Sequence, residues 1–439
     1  MNSRLHIHKL FQEFFGYLIV LMLLMDSRVI YGSLTTTPSW FNYLIFAGIG
    51  AGTMGSIAYT FITKKITLSS KQAHFFMVLA VTAVYLSLYI FCHHSKSYTI
   101  KLLLALILLS CYHIIIEKGE ATLLLKYRNI MTGIAVISLS FWLLASVLHV
   151  LKPTGTVLST WAGTALPKKV DAYYYLYFET QELEIPILHI ASFRNTAIFT
   201  EAPMASFNFS IALLTELYIA PRKNKFNIVV LIIAILTTLS TTGYCVLALI
   251  LIQKYLKNSK GKKSLFHILS IPLIVVGVIS AVVVIFVMVR DKMGTGSGEA
   301  RLDDFRVCFL AWKDYPIMGC GLGNGGYIQS YMSRARYIAN RGLSNSPGLV
   351  LAEGGLYLTV IYTGAFLRAI YRSFRYKMKD YLSFIFLFLL IYTITMIPFI
   401  YLTFYILIWF AFGVNKKKDS IETLEPLLNY FTKYQKNQI

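Results

Sequence analysis

Charge is scarce in this chain, and acidic charge scarcest: 20 Asp and Glu stand against 41 Lys and Arg, and charged residues make up only 14% of the 439 positions. With 56% hydrophobic residues and a mean hydropathy of +0.62, that scarcity excludes an ordinary soluble domain and points to an integral membrane protein. Cysteine is sparse too. Its five positions, 92, 111, 245, 308 and 320, lack metal-ligand spacing and read as small buried hydrophobes, although Cys308 and Cys320 could meet in an oxidising compartment. No Walker lysine is present, and Asp303 and Asp304 are adjacent rather than spaced as Asp-x-Asp. Neither an ATP site nor a metal site is therefore implied, and no cofactor is expected. The histidines are scattered, several of them near span ends. Arg4 and Lys9 precede an apolar run as in a signal peptide, but no small-x-small cleavage site follows, so the segment reads as a retained first helix.

What the chain has is apolar length. Twelve spans can be drawn, at about 11 to 31, 40 to 62, 74 to 92, 99 to 117, 129 to 150, 203 to 220, 226 to 240, 242 to 256, 264 to 289, 346 to 370, 380 to 396 and 398 to 414. The expected fold is a single all-α integral membrane domain over 1–439, with about 12 transmembrane helices and two large extracytoplasmic loops. The seventh and eighth spans are short and could be one, but "PRKNK" precedes them and "KYLKNSKGKK" follows. Two basic flanks belong on one side, so a turn is expected inside, at Thr241, Thr242 and Gly243. Lys64, Lys65 and Lys71, Lys118 to Arg128, Arg222 to Lys225, Lys254 to Lys263, Arg368 to Lys379 and Lys416 to Lys418 then share the cytoplasmic side. Both termini, including a tail at 415–439, are expected there. The net charge of +21 is explained by this topology and by attraction to anionic lipid, without nucleic acid.

Two long loops remain on the other side, at 151–202 and 290–345, and both carry too many aromatics for disorder. The first ends in "FRNTAIFTEAP", where Arg194 and Glu201 stand before an apolar run. The alternative there is an exposed loop arginine and an N-terminal glutamate favoured by the helix dipole. The second loop sets Arg290, Lys292, Arg301, Arg306, Lys313, Arg334, Arg336 and Arg341 against Asp291, Glu299, Asp303, Asp304 and Asp314. An excess of planar guanidinium forks suits phosphate oxygens, with lipid headgroups as the alternative partner. "GCGLGNGG" holds a GxGxxG at Gly321, Gly323 and Gly326, but no strand precedes it. It reads as a flexible turn leading to "SRARYIANR".

Taken in order, "FRNTAIFTEAP", "TLSTTGY", "RLDDFRVCFLAWKDYPIMGCGLGN" and "SNSPGLVLAEGGLYL" resemble the O-antigen polymerase and O-antigen ligase family of bacterial membrane proteins, over about residues 190 to 370. The resemblance implies an all-helical, GT-C-like membrane glycosyltransferase of about a dozen spans, acting on the outer face of the bacterial cytoplasmic membrane. Its substrate would be oligosaccharide linked to undecaprenyl pyrophosphate. Arg194 would match the family's essential first-loop arginine, and Arg301 or Arg306 those of the second loop. Where ligases carry a His-Asn pair, Ser344 and Asn345 stand here, with Gly355 at the matching distance. The expected catalytic residues are Arg194, Glu201, Arg301 and Arg306, and the expected substrate-binding residues are Arg334, Arg336, Arg341 and Asn345. The expected activity is metal-independent polymerisation of lipid-linked repeat units into O-antigen or capsular polysaccharide. A ligase and a non-catalytic exporter of lipid-linked sugars are the rivals. Expected partners are membrane lipids, a chain-length regulator and a flippase.

Overall fold

A computed structural model describes residues 2–63, 80–81, 83–84, 87, 96–117, 121–161, 167–185, 190–258, 296–339 and 342–411. Most of this chain is helical. The helices are α1 (Asn2–Met25), α2 (Phe41–Thr63), α3 (Lys96–Tyr112), α4 (Thr122–Phe141), α5 (Ala202–Leu214), α6 (Lys225–Thr237), α7 (Thr241–Asn258) and α8 (Gly296–Asp314). After them come the short α9 (Gly325–Gln329) and α10 (Arg334–Ala339), then α11 (Ser346–Arg375), α12 (Lys379–Ile394) and α13 (Phe399–Thr403). π-helical turns extend α3 to Glu117, α4 to Val147, α5 to Ile219 and α13 to Ala411. Among the described residues, four helical stretches are long and apolar enough to cross a membrane: Phe41–Ile62, Tyr98–Glu117, Thr122–Val147 and Ser346–Arg375. Leu10–Met25, Lys225–Thr237 and Thr241–Lys254 are shorter apolar helices. Most of the expected third span and all of the ninth lie outside the described residues, as does the 415–439 tail.

Helix association follows membrane logic, in which small residues let backbones approach. A Cβ on Gly48 of α2 would lie 2.4 Å from Met22 Cγ of α1, and one on Gly52 would lie 2.6 Å from Ile19 Cγ1. The core is rich in aromatics, and a group of its buried polar side chains pair with one another. Tyr127 and Tyr401 both donate to Asn208 Oδ1, at 2.7 and 2.9 Å, and Asn208 Nδ2 donates to the Met204 carbonyl at 2.8 Å. At one end of the bundle, the fully buried Glu216 accepts from Arg128 at 2.7 Å and Asn227 at 3.1 Å, which ties the starts of α4 and α6 to the end of α5.

At the other end meet the C-terminal ends of α1, α4 and α6 and the N-terminal ends of α3, α5, α7, α11 and α13. We refer to it as the loop face. Strands, absent from the helical expectation, occur here within 155–193. Strands β1 (Gly155–Ser159), β2 (Lys168–Tyr173) and β3 (Tyr177–Glu179) form an antiparallel sheet with Val157 opposite Val170 and Ala172 opposite Phe178. Strands β4 (Glu182–Ile185) and β5 (Ile190–Phe193) form a hairpin beside it. Antiparallel bridges Leu34↔Ser159 and Val29↔Phe199 sew this segment to the exit of α1.

The α6–α7 turn falls at Thr238–Ser240, three residues before the expected Thr241–Gly243. Leu239 takes φ +48°, and Thr238 Oγ1 bonds back to the Ile235 carbonyl at 2.7 Å, closing the helix early. Gly243 serves packing instead, because a Cβ there would come within 2.3 Å of Ser206 Oγ in α5.

Helix α11 is broken at Gly355, where φ is +63° and ψ is −166°. A break inside an apolar helix leaves carbonyls and amides unpaired, which is tolerable only if other protein groups meet them. The 316–321 stretch does so. Cys320 N and Gly321 N donate to the carbonyls of Ala352 and Glu353, at 2.8 and 3.1 Å. In return Leu356 N and Tyr357 N donate to Pro316 and Ile317, at 2.9 and 3.1 Å. This close backbone splint accounts for the first two glycines of "GCGLGNGG", Gly319 and Gly321, both at positive φ. Gly319, at φ +74°, has no room for a Cβ, which would sit 2.3 Å from the Glu353 carbonyl.

Candidate functional site

Arg194 and Glu201, the pair that stands out in the sequence, make no direct contact. Arg194 Nε donates to the Thr238 carbonyl at 2.8 Å and Nη2 to the Leu239 carbonyl at 2.9 Å, while Nη1 lies 3.4 Å from Gln181 Oε1. These carbonyls end α6, so the cation sits at the negative end of a helix dipole and closes the α6–α7 turn. Burial lowers its pKa to about 10, with Tyr244 and Glu201 opposing the shift, so it stays charged near neutrality.

Glu201 faces Arg28 instead. Glu201 precedes α5 in extended conformation and its carboxylate caps nothing, because Gln181 Oε1 accepts the Ala202 N–H at 2.9 Å. Opposite it, Arg28 is held in a left-handed conformation at φ +60°. The surrounding backbone fixes it there: Ile30 N donates to the Ile198 carbonyl at 2.9 Å and Thr200 N to the Arg28 carbonyl at 3.1 Å. Arg28 Nη1 lies 3.4 Å from Glu201 Oε1, Nη2 is pressed against Met396 Sδ at 2.6 Å, and the guanidinium lies 4.4 Å from the Trp161 ring centre.

A guanidinium carries five N–H donors, and a thioether is a weak acceptor. Among the described residues, then, the only oxygen that meets Arg28 is one at the long end of hydrogen-bonding range. The two side chains are 16% and 26% exposed, enough to be reached from the loop face. Tyr98, at the start of α3, lies within electrostatic reach of Arg28, Asp26 and Glu353, and its ring sits beside Gly323. Glu353 in turn accepts the Gly323 N–H at 2.8 Å. The site thus draws on α1, α3, α5 and the segment after β1, with the helix break behind it.

No protein-family model and no curated protein matches this chain. The arrangement itself therefore has to carry the functional reading.

Two second-loop arginines, Arg306 and Arg336, face carboxylates of the same segment. Arg336 Nη1 donates to Asp303 at 2.6 Å, and Nη2 to Asp304 and to the Gly342 carbonyl, the latter at 3.2 Å. Arg306 reaches Asp303 at 2.8 Å but is 61% exposed. Buried Asp304 also accepts from the backbone N–H of Ser344 at 2.8 Å and from its hydroxyl. This network docks α8 and α10 to the start of α11. Arg334 is exposed at the start of α10. Asn345 caps α11, its Oδ1 accepting from Gly348 N at 2.6 Å, while its buried Nδ2 has no partner among the described residues. Arg341 and the side chain of Arg301 lie outside the described residues.

Sequence alone marks Arg28 only as a charge at the end of a span, and gives Trp161 and Tyr98 no role. A signal for Arg28 existed: it is a basic residue at the far end of the first apolar run from the basic N-terminus, where positive charge is disfavoured. Nothing in the sequence places Trp161 or Tyr98 beside it, since 60 or more positions separate them along the chain.

Proposed function

We propose that this chain is a polysaccharide polymerase of a bacterial cytoplasmic membrane, with about 12 spans, both termini cytoplasmic and the loop face outside. It transfers a growing glycan from undecaprenyl pyrophosphate to a new lipid-linked repeat unit. The observation that carries this reading is Arg28, a fixed arginine with donors unmatched among the described residues, set against the reachable carboxylate of Glu201. A lipid-linked glycosyl pyrophosphate is already activated, so transfer needs charge stabilisation and a proton acceptor, and no nucleotide. Glu201 takes the proton of the acceptor hydroxyl as its oxygen bonds to the anomeric carbon. The anomeric carbon–oxygen bond to pyrophosphate breaks, and the departing charge is met by Arg28, whose planar fork suits two phosphate oxygens. Trp161 keeps the guanidinium plane fixed by cation–π contact.

Arg194 acts in this reading by holding the α6–α7 turn beside Glu201. Arg306 and Arg334, exposed on the same segment as the Asp303–Arg336 network, attract the anionic headgroup, and Arg301 and Arg341 add to the same basic excess.

The test is a glycan ladder from a deletion strain. Single repeats on the surface lipid support a polymerase. Long polymer stranded on the carrier would make the chain a ligase, and repeats trapped inside the cell would make it an exporter.

A further inference from the structure

Strands β2 and β3 are joined through Tyr173–Leu176, closed by the Leu176 N–H to the Tyr173 carbonyl at 3.0 Å. The two central residues, Tyr174 and Tyr175, have φ of +51° and +56°. That is a type I′ turn, which ordinarily takes Asn or Gly, and L-tyrosine is strained at both positions. The strained residues are also exposed: Tyr174 by 61%, Tyr175 by 56% and Leu176 by 47%. No charged residue occurs from Ala172 to Phe178.

The tip does not point away from the bundle. The Tyr174 ring centre lies 6.2 Å from that of Phe141, and Tyr177 stacks on the same ring at 6.3 Å. Phe141 precedes the helical end at Val147 by six residues, about 9 Å of rise. The helical stretch Thr122–Val147 has 26 residues, so at about 1.5 Å each it is some 39 Å long against a hydrocarbon core of about 30 Å. A centred helix extends about 5 Å past the core at each end, which puts Phe141 just inside the hydrocarbon boundary. The hairpin hangs down beside α4 to that level, next to the exposed Leu143, Leu144 and Val147.

We propose that the Tyr173–Leu176 tip is a membrane-interface anchor, with Tyr174, Tyr175 and Leu176 seated in the headgroup boundary of the leaflet on the loop face. Tyrosine suits that depth because its ring is apolar and its hydroxyl is wet. The surface it joins is the lipid-facing flank of α4, so its partner is the bilayer. The anchor fixes the height of the sheet whose β1 leads into Trp161. The inference rests on the chain being embedded in a membrane and on nothing about sugar chemistry.

The test uses the full chain in phosphatidylglycerol-containing nanodiscs, with Leu176→Cys carrying a nitroxide and the unsubstituted chain labelled in parallel as background. Collision rates with oxygen and with a water-soluble nickel chelate report depth. The anchor predicts dominant oxygen access and several-fold lower nickel access than at Thr156→Cys, an exposed position on the same sheet. Nickel access equal to that at Thr156→Cys would overturn the proposal, and low access to both agents would assign the tip to a protein partner or a second copy. If the cysteine variant is not recovered folded, Tyr175→Trp in nanodiscs with brominated lipid gives a second reading. Added quenching over the unsubstituted chain supports the anchor, and its absence rejects it.

Discussion

Arg28 and Glu201, 173 positions apart in sequence, face each other at 3.4 Å where the exit of α1 meets the entry to α5. Neither closes a helix, and among the described residues neither is fully matched by other protein groups. Arg194, by contrast, meets two carbonyls at normal hydrogen-bond distance. The difference between these arginines gives opposite expectations for their substitution.

At Arg28, loss of function should come without loss of fold. If Arg28→Ala removes one preorganised contact worth about 3 kcal/mol in the transition state, polymerisation slows by roughly two orders of magnitude. Arg28→Lys should recover little, since lysine lacks the planar fork. Rates with purified protein and lipid-linked repeats check this, alongside membrane abundance. Near-normal rates for Arg28→Ala would remove Arg28 from the chemistry.

At Arg194 the effect should appear first as stability. Arg194→Ala leaves the Thr238 and Leu239 carbonyls short of a charged donor, a loss of about 1.5–3 kcal/mol per bond. Arg194→Lys retains one donor and should fall between. Melting temperatures in detergent give the order; a variant of unchanged melting temperature and abolished activity would return Arg194 to direct contact with substrate.

The helix break makes a sharper contrast among glycines. Gly355→Ala would place a Cβ 2.3 Å from the Ile317 carbonyl oxygen, and Gly319→Ala is equally blocked. Both need a left-handed backbone, so each should destabilise by at least ~2–3 kcal/mol. Gly325→Ala meets nothing within 4 Å and should be tolerated. Folded yield from matched membrane preparations measures all three, and normal yield for Gly355→Ala would argue against the splint.

Acid should loosen the second loop before the helical core. Burial works to raise the pKa of Asp303, but hydrogen bonds from Arg306 and Arg336 and their charges hold it below the usual carboxylate value of 3.8. A depressed folded pKa means that its contribution is full above the unfolded pKa, near 4, and is lost as pH falls through the lower folded value. Limited proteolysis within 296–339 between pH 7 and pH 3 should therefore rise at the acid end. Asp303→Asn should show raised cleavage already at pH 7 and a flatter dependence. Equal pH curves for the two proteins would show that Asp303 carries none of the effect.

Ser344 donates its hydroxyl to Asp304, and no imidazole stands next to it in sequence to activate it. Ser344→Ala should then keep most polymer while weakening the docking of α8 to the start of α11. Complete loss of polymer at normal abundance would place the hydroxyl on substrate instead.

Apolar run length made the helices legible, because a span of about 20 apolar residues has few alternatives in a low-charge chain. The α6–α7 hairpin was legible for a related reason: two basic flanks cannot lie on opposite sides of a membrane at no cost. Its turn was misplaced by three residues, since the closing bonds come from Thr238 itself and from Arg194 in another segment. The strands at 155–193 escaped because they are short and pair partly with the exit of α1. The Arg28–Glu201 pair escaped for the same reason at larger scale. Sequence spacing offered Arg194 to Glu201, seven positions off, while the left-handed turn at Arg28 and the Val29↔Phe199 bridge brought in a different arginine. Composition and periodicity determine which segments are helical and apolar, because those are local properties of the chain. Which arginine has donors left over depends on which carbonyls and carboxylates the folded backbone delivers to it, and only the tertiary structure decides that.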